Sequence, residues 1–128
     1  MLIILLIVIG SKAIYKDNFA ILTGTITGDG TDSPSMHMNY PEKFNRDNCV
    51  VLSVNLQRKE NGNKGYGAVY DSSSYVTGSI PSKVVLGETD VSIEIRNVLL
   101  SEESGVHTPD FSADVNYEYT IVLMKIGD

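Results

Sequence analysis

The sequence predicts an all-β protein, an antiparallel β-sandwich of about eight strands for which a jelly roll is one of the open arrangements. Three observations lead there. Nearly every ordered stretch alternates apolar and polar residues with a period of two, and none shows the 3.6-residue face of an amphipathic helix. Turn signals recur every ten to fifteen residues, as short stacked strands require. At 128 residues the chain fits one domain, spanning 1–128, and can bury a core without disulfide staples.

The elements follow in order. "MLIILLIVIGSKA" (1–13) opens with eight apolar residues, Leu2 to Ile9. That is far short of the roughly twenty that span a bilayer as a helix, so no membrane partner is expected. Its Ile and Val content favours a strand buried on both faces, in the core or between subunits. A signal peptide is the alternative, with small residues at Ser11 and Ala13, although no Lys or Arg precedes the apolar run; an artefactual start is a third. "FAILTGTIT" (Phe19 to Thr27) places Phe19, Ile21, Thr23 and Thr25 on one face and Ala20, Leu22, Gly24 and Ile26 on the other. Gly28-Asp29-Gly30 then breaks it. "SMHMNY" sets Met36, Met38 and Tyr40 against His37 and Asn39, and Pro41 ends the ladder by removing a donor.

"CVVLSVNLQRK" puts Val50, Leu52, Val54 and Leu56 on the inner face by simple alternation. Asn61-Gly62 is a strong signal for a tight hairpin, folding "KGYGAVY" back as one antiparallel strand. "DSSSYVTGS" (Asp71 to Ser79) reads as a loop by composition, closed by Pro81. Beyond it "SKVVLGETDVSIEIRNV" gives a short strand, a turn at Gly87 to Asp90, and a strand with Val91, Ile93 and Ile95 inward. "LSEESGVHTPDFSAD" reads as exposed loop. The closing "VNYEYTIVLMKI" is apolar on both faces after Thr120, which predicts a central strand or one covered by a neighbour.

Composition bounds function. Ten Lys and Arg against sixteen Asp and Glu give a net charge of −6, and the basic residues are scattered. A nucleic-acid partner is therefore not expected, because phosphate binding needs a basic stripe. The only cysteine, Cys49, cannot close an intrachain disulfide and sits at the mouth of an apolar strand, where a packed thiol is expected.

No catalytic template fits. Phosphate-loop and dinucleotide glycine motifs are absent, and the Gly65 and Gly67 pair lies on a predicted strand. The two histidines, His37 and His107, stand seventy residues apart with no ligand spacing. Asp29 and Asp32 share one turn, but the spacing of a calcium loop is missing and the turn's own backbone accounts for them. Glu102 and Glu103 are adjacent on an expected loop, which suits solvation better than acid–base work. The expectation is a non-enzyme with no catalytic residue, no metal and no cofactor. For binding, Asn61, Asn63, Tyr66, Tyr70, Asp71 and Tyr75 cluster around the hairpin and the stretch after it. Tyrosine offers a flat apolar face and a hydroxyl at low entropic cost, suited to sugar rings or protein surfaces, although tyrosines are also ordinary strand residues.

"NYPEKFNRDNCVVLSV" (Asn39 to Val54) resembles a recurring corner, Tyr-Pro-x-Gly-Phe followed by Asn-Cys-Val-Val, in structural proteins of tailed phages and prophages of Gram-positive bacteria, especially the C-terminal receptor-binding domains of tail fibres. Tyr40, Pro41, Phe44, Asn48, Cys49, Val50 and Val51 match. "YTIVLMKI" and "ILTGTITG" are similar to that family's closing and opening strands, so the likeness runs from about Phe19 to Ile126. Lys43 stands where the pattern has glycine, a departure that bears on the turn. The resemblance implies a homotrimeric fibre-tip head domain in the virion, made in the host cytoplasm, whose loops contact a bacterial surface glycan or protein. A virion part that binds other phage proteins (a capsid decoration, head fibre or baseplate adaptor) is a second expectation. A secreted carbohydrate-binding or hydrolytic sandwich domain is a third, if the N-terminus is a signal peptide.

Overall fold

The computed structural model describes residues 18–31, 33–60, 62–71, 75–102 and 115–127, with the backbone alone at 68–71, 75 and 101–102. The apolar 1–13 segment, Asp32, Asn61, Glu103 and His107 lie outside the described residues. Eight strands follow one another: β1 Phe19–Thr27, β2 Ser35–Asn39, β3 Cys49–Glu60, β4 Asn63–Gly65, β5 Gly67–Asp71, β6 Tyr75–Leu86, β7 Asp90–Glu102 and β8 Asn116–Lys125. They form two antiparallel sheets of four, ordered β1-β8-β3-β4 and β2-β7-β6-β5, which face each other as a β-sandwich. The outer pairings nest like a rolled-up hairpin, β1 with β8 and β2 with β7, and the jelly-roll pattern then gives way to a β5-β6-β7 meander.

The core lies between the sheets. β8 contributes Tyr117, Tyr119, Ile121 and Leu123, and faces Val91, Ile93 and Ile95 of β7, all 5% exposed or less. Burying each aliphatic side chain is worth roughly 1.5–3 kcal/mol. As its two-sided apolarity predicts, β8 is central, paired to β1 on one side and β3 on the other. β1 turns Leu22 and Ile26 inward. Gly24 shares that face because the Tyr119 ring lies over it, and a Cβ there would collide with the ring.

Four expectations need correction. Simple alternation puts Val50 and Leu52 inside, yet both are exposed. The register against β8 shifts between Val51 and Ser53, so Leu52 is an extra residue that exchanges the two faces. Cys49 and Val51 point inward before the bulge, and Val54, Leu56 and Arg58 after it. Second, "KGYGAVY" is not one strand. Glu60 pairs with Asn63 around the Asn61-Gly62 hairpin, with Gly62 at φ 81°, but the chain leaves that sheet after Gly65. Gly67, at φ 80°, starts β5 in the other sheet.

Third, most of "DSSSYVTGS" is strand, since β6 begins at Tyr75 and runs through Pro81. Proline is tolerated because β5 pairs with β6 only as far as Ser79, and the register against β7 shifts between Pro81 and Lys83. Fourth, β7 continues through Leu100 to Glu102, paired with the start of β6, so this much of the expected exposed loop is sheet.

Thr77 and Ser79 turn inward because polar partners await Ser79. Arg58, 2% exposed on β3, donates from Nη1 to Ser79 Oγ at 3.0 Å across the sandwich and from Nη2 to Glu60 Oε2 at 2.7 Å. Ser79 Oγ donates in turn to Asn97 Oδ1, which also accepts from Tyr117 OH at 2.9 Å. This chain joins β3, β6, β7 and β8. Removing one partner of a buried pair leaves a charge uncompensated, whereas replacing both by apolar groups can be neutral. Arg58→Ala is expected to lower unfolding stability by about 3 kcal/mol or more, and Arg58→Met with Glu60→Leu to recover most of it, as measured by urea denaturation.

Candidate functional site

The corner predicted from Tyr40, Pro41, Phe44, Asn48 and Cys49 is the most fully built local structure of the chain. Phe44 N–H donates to Pro41 C=O at 3.0 Å, closing a four-residue turn with Glu42 and Lys43 at its centre. Lys43 adopts φ 71°, the only positive φ among the described non-glycine residues. A positive φ at the third position alone marks a type II turn, whose preferred residue there is glycine. Lys43 thus holds a conformation that glycine adopts most readily.

Asn48, 4% exposed, binds the next turn. Its Oδ1 accepts from Asn45 N–H at 2.8 Å, and its Nδ2 donates to Lys43 C=O at 2.9 Å. Its own C=O accepts from Ile126 N–H at 2.7 Å, tying the corner to the end of β8. Tyr40 OH donates to Gly87 C=O at 2.6 Å, reaching the β6–β7 turn. Burial, and next the neighbouring Cys49, push the Tyr40 hydroxyl above its ordinary pKa. The Cys49 thiol sits 3.1 Å from Asn45 C=O, and burial pushes it up as well, so it is protonated and packed. Lys125 Nζ lies 5.8 Å from the Phe44 ring centroid. The Tyr40, Asn48 and Cys49 side chains all bond to the protein's own backbone, so the clasp fastens the corner to the end of β8 and to the β6–β7 turn.

The predicted binding residues do not converge on one point. Asn61 lies outside the described residues. Asn63 is exposed on β4, and Tyr66, 60% exposed, stands at the passage between the sheets. Tyr70 and Asp71 belong to β5, opposite Thr77 and Val76, while Tyr75 opens β6 opposite Glu102. At about 3.3 Å per residue, β5 separates Tyr66 from Asp71 by about 16 Å. The structure therefore brings Asn63 near Tyr66 and sets Tyr70, Asp71 and Tyr75 at the far end of the β5–β6 hairpin. Asp29 serves its own turn, accepting from Thr31 N–H at 3.0 Å and from the Thr31 hydroxyl, whose bond holds the carboxyl below its ordinary pKa. Among the described residues no three His, Cys, Asp or Glu side chains gather where they could hold a metal ion.

Sequence reasoning missed the outer face of the β1-β8-β3-β4 sheet. There an open groove of about 270 Å³ runs over Thr23, Thr25, Glu118 and Thr120. Register puts Thr120 between Thr23 and Asn55, and Glu118 between Thr25 and Gln57. Glu118 is held by Lys64 at 2.6 Å and Lys59 at 3.5 Å. Hydroxyls, amides and a neutralised carboxylate suit hydrogen bonding to a neutral polar ligand. The usable signal was the strand pairing, which brings together threonines nearly a hundred residues apart. Comparison with known proteins adds no relative: no family model, no curated protein and no solved structure matches this chain.

Three outcomes follow. Lys43→Gly is expected to raise stability by up to about 1 kcal/mol, because the strain of a left-handed side-chain residue exceeds the extra chain entropy of glycine. Asn48→Ala is expected to cost about 2–3 kcal/mol, since it strands two backbone partners; thermal unfolding of both variants reads the signs. For Glu118, the hydrogen bond from Lys64 is the main cause of a pKa below the ordinary 4.5, opposed by a smaller desolvation effect. Its pairing therefore stabilises fully above pH 4.5 and is lost as pH falls through the lower folded value. The difference in Tm between wild type and Glu118→Gln is expected to shrink across that acid window and to stay constant from pH 6 to 8.

Proposed function

We propose that this chain is a non-enzymatic virion component of a tailed phage or prophage of Gram-positive bacteria: a trimeric head domain of a tail fibre that contacts the bacterial surface. One observation carries the reading. The corner that resembles the phage pattern folds as a type II turn in which Lys43, at the pattern's glycine position, holds the glycine conformation. A departure in residue type without a departure in geometry is what divergence within one architecture leaves behind. The two-sheet fold suits the same role, since a rigid sandwich can present loops and sheet margins to a surface.

In this reading Asn61, Asn63, Tyr66, Tyr70, Asp71 and Tyr75 face the ligand, in two stations at opposite ends of the β5 margin. Each station is weak alone, and three copies on one trimer would supply the affinity through avidity. A second reading, binding of a neutral glycan, is favoured by the Thr23–Thr25–Glu118–Thr120 groove, which would serve a secreted carbohydrate-binding domain as well as a fibre tip.

The test combines light scattering with sedimentation on isolated cell walls from a panel of Gram-positive bacteria. The expected result is a particle of three times the 14.0 kDa chain mass, retained on walls from some hosts, with retention reduced about tenfold or more by Tyr66→Ala at unchanged Tm. Loss of retention in Thr23→Ala/Thr120→Ala, with Tyr66→Ala unaffected, would move the contact to the groove. A monomer without wall affinity would overturn the proposal.

A further inference from the structure

Buried polar groups in a folded chain are almost always hydrogen-bonded, so each exception calls for a physical account. Among the described residues two buried side-chain atoms are exceptions, Arg58 Nε on β3 and Thr77 Oγ1 on β6. Both residues are 2% exposed or less, and neither atom has a hydrogen-bond partner within the chain. Their neighbours are well served. Arg58 gives Nη1 to Ser79 and Nη2 to Glu60, while Ser79 and Tyr117 both donate to Asn97 Oδ1.

The strand registers put the two atoms on the same side of the Arg58–Ser79 bond. On β8, Tyr119 OH donates to Met36 Sδ at 3.9 Å, and Met36 pairs with Ile93 of β7; Tyr117 OH donates to Asn97 of the same strand. In the first sheet those two tyrosines pair with Leu56 and Arg58. Moving from Leu56 to Arg58 therefore corresponds to moving from Ile93 to Asn97, the partner of Ser79. The next step in that direction leads to Glu60 on β3 and, past Ser79, to Thr77 on β6. The guanidinium agrees with this. Its Nε–H and one Nη2–H project side by side along one edge of a rigid fork, and Nη2 is the nitrogen that meets Glu60 at 2.7 Å. Nε thus faces the Glu60 and Thr77 side. Thr77 lies about 6.6 Å along the strand from Ser79, and one small molecule with a hydrogen bond of about 2.7–3.2 Å on either side bridges about 5.5–6 Å.

We infer that an internal water molecule is held between Arg58 Nε and Thr77 Oγ1, joining β3 of one sheet to β6 of the other. Chemistry selects this occupant. Nε can only donate, so its partner must accept, which excludes a cation. An anion would accept, but the Glu60 carboxylate bonded to the same guanidinium opposes it. Water accepts from Nε–H without charge, and it meets at its other side a hydroxyl able to donate or to accept. Two to four polar partners are what an internal water takes. The bridge extends the Arg58–Ser79–Asn97–Tyr117 chain to Thr77 and accounts for a buried hydroxyl that no group of the protein satisfies. The site is internal and independent of the proposed surface contacts.

Measurements on the full chain and on two variants test it. In NMR spectra at low temperature the Arg58 Hε resonance is expected to show a cross-peak to water with the sign of a long-lived bound molecule. A crystal structure is expected to show a density peak within about 2.7–3.2 Å of both atoms. Thr77→Val keeps the side-chain shape and is expected to lose the cross-peak and to lower Tm by about 3–5 °C, whereas Thr77→Ser keeps the hydroxyl and with it the cross-peak. An unchanged or raised Tm in Thr77→Val overturns the inference, because removing an unpartnered buried hydroxyl at constant volume does not destabilise. A Glu60 oxygen bonded to Nε in the crystal, or a water on only one of the two atoms, overturns it as well, and both are read on the wild type whether or not the variants fold.

Discussion

The position of β8 is the constraint on which the rest depends. It is the last of the described strands in chain order, yet it lies between β1 and β3 and supplies Tyr117, Tyr119, Ile121 and Leu123 to the core. Until it inserts, neither β1 nor the length of β3 has a partner in its own sheet other than the three residues of β4. The first sheet is therefore a long-range assembly, with pairings about a hundred residues apart between β1 and β8. Such topologies must close long loops before any contact rewards them. The second sheet is cheaper, since β5, β6 and β7 form a meander of local hairpins. A folding order in which the meander forms a platform and β8 completes the sandwich follows from that asymmetry.

The clasps between sheets lie where this late closure needs them. At one end the corner fixes β8 through the Ile126 N–H to Asn48 C=O bond and reaches the β6–β7 turn through Tyr40. Toward the other end Tyr117 enters the Arg58–Ser79–Asn97 network. Both are polar, and both use groups buried deeply enough that a misplaced β8 would leave donors and acceptors without partners, at about 1–3 kcal/mol each. Apolar packing alone would tolerate a slipped register in a strand as uniformly apolar as IVLM, because the period-two pattern of β8 is weak after Thr120. The polar clasps supply the register that the hydrophobic pattern leaves open.

What could be read from the sequence divides along the same line. Where one face is apolar and the other polar, as in the Val91–Ile95 half of β7, alternation gave both the strand and its orientation; for β1 and β2 it gave the strand and its two faces. Where tertiary partners decide, it did not. Leu52 turns outward because of a bulge that no local signal announces, and it reverses the facing of the strand's first residues. Tyr75 to Ser79 looks like loop by composition, yet Ser79 faces inward to meet Arg58. Arg58 continues the period of Val54 and Leu56, but alternation alone does not place an arginine inside, and its burial is explained only by Glu60, Ser79 and Asn97 beside it. For the candidate sites the corner was readable from its residues, whereas the groove is made by cross-strand neighbours and exists only once β1 and β8 are paired.

The bulge at Leu52 gives the sandwich its functional asymmetry. Without it, the alternation running back from Val54 and Leu56 would turn Leu52 and Val50 inward and leave Val51 and Cys49 outside, where the corner could not bury the thiol or place Asn48 against Lys43 and Ile126. One inserted residue thus satisfies two demands at once: it lets the corner bury Asn48 and Cys49, and it moves Leu52 and Val50 onto the outer face beside Ile21 and Val122. Burying the Val50 and Leu52 side chains would be worth roughly 1.5–3 kcal/mol each, so their exposure is a cost of the bulge. The corner explains why the bulge exists, but it does not require that the residues expelled be apolar. Serine or lysine at 50 and 52 would serve the corner equally well. Because the expelled residues are apolar, Val50 and Leu52 stand exposed on the outer face of the sheet, in the rows of Met124 and Val122 and on the same face as Ile21.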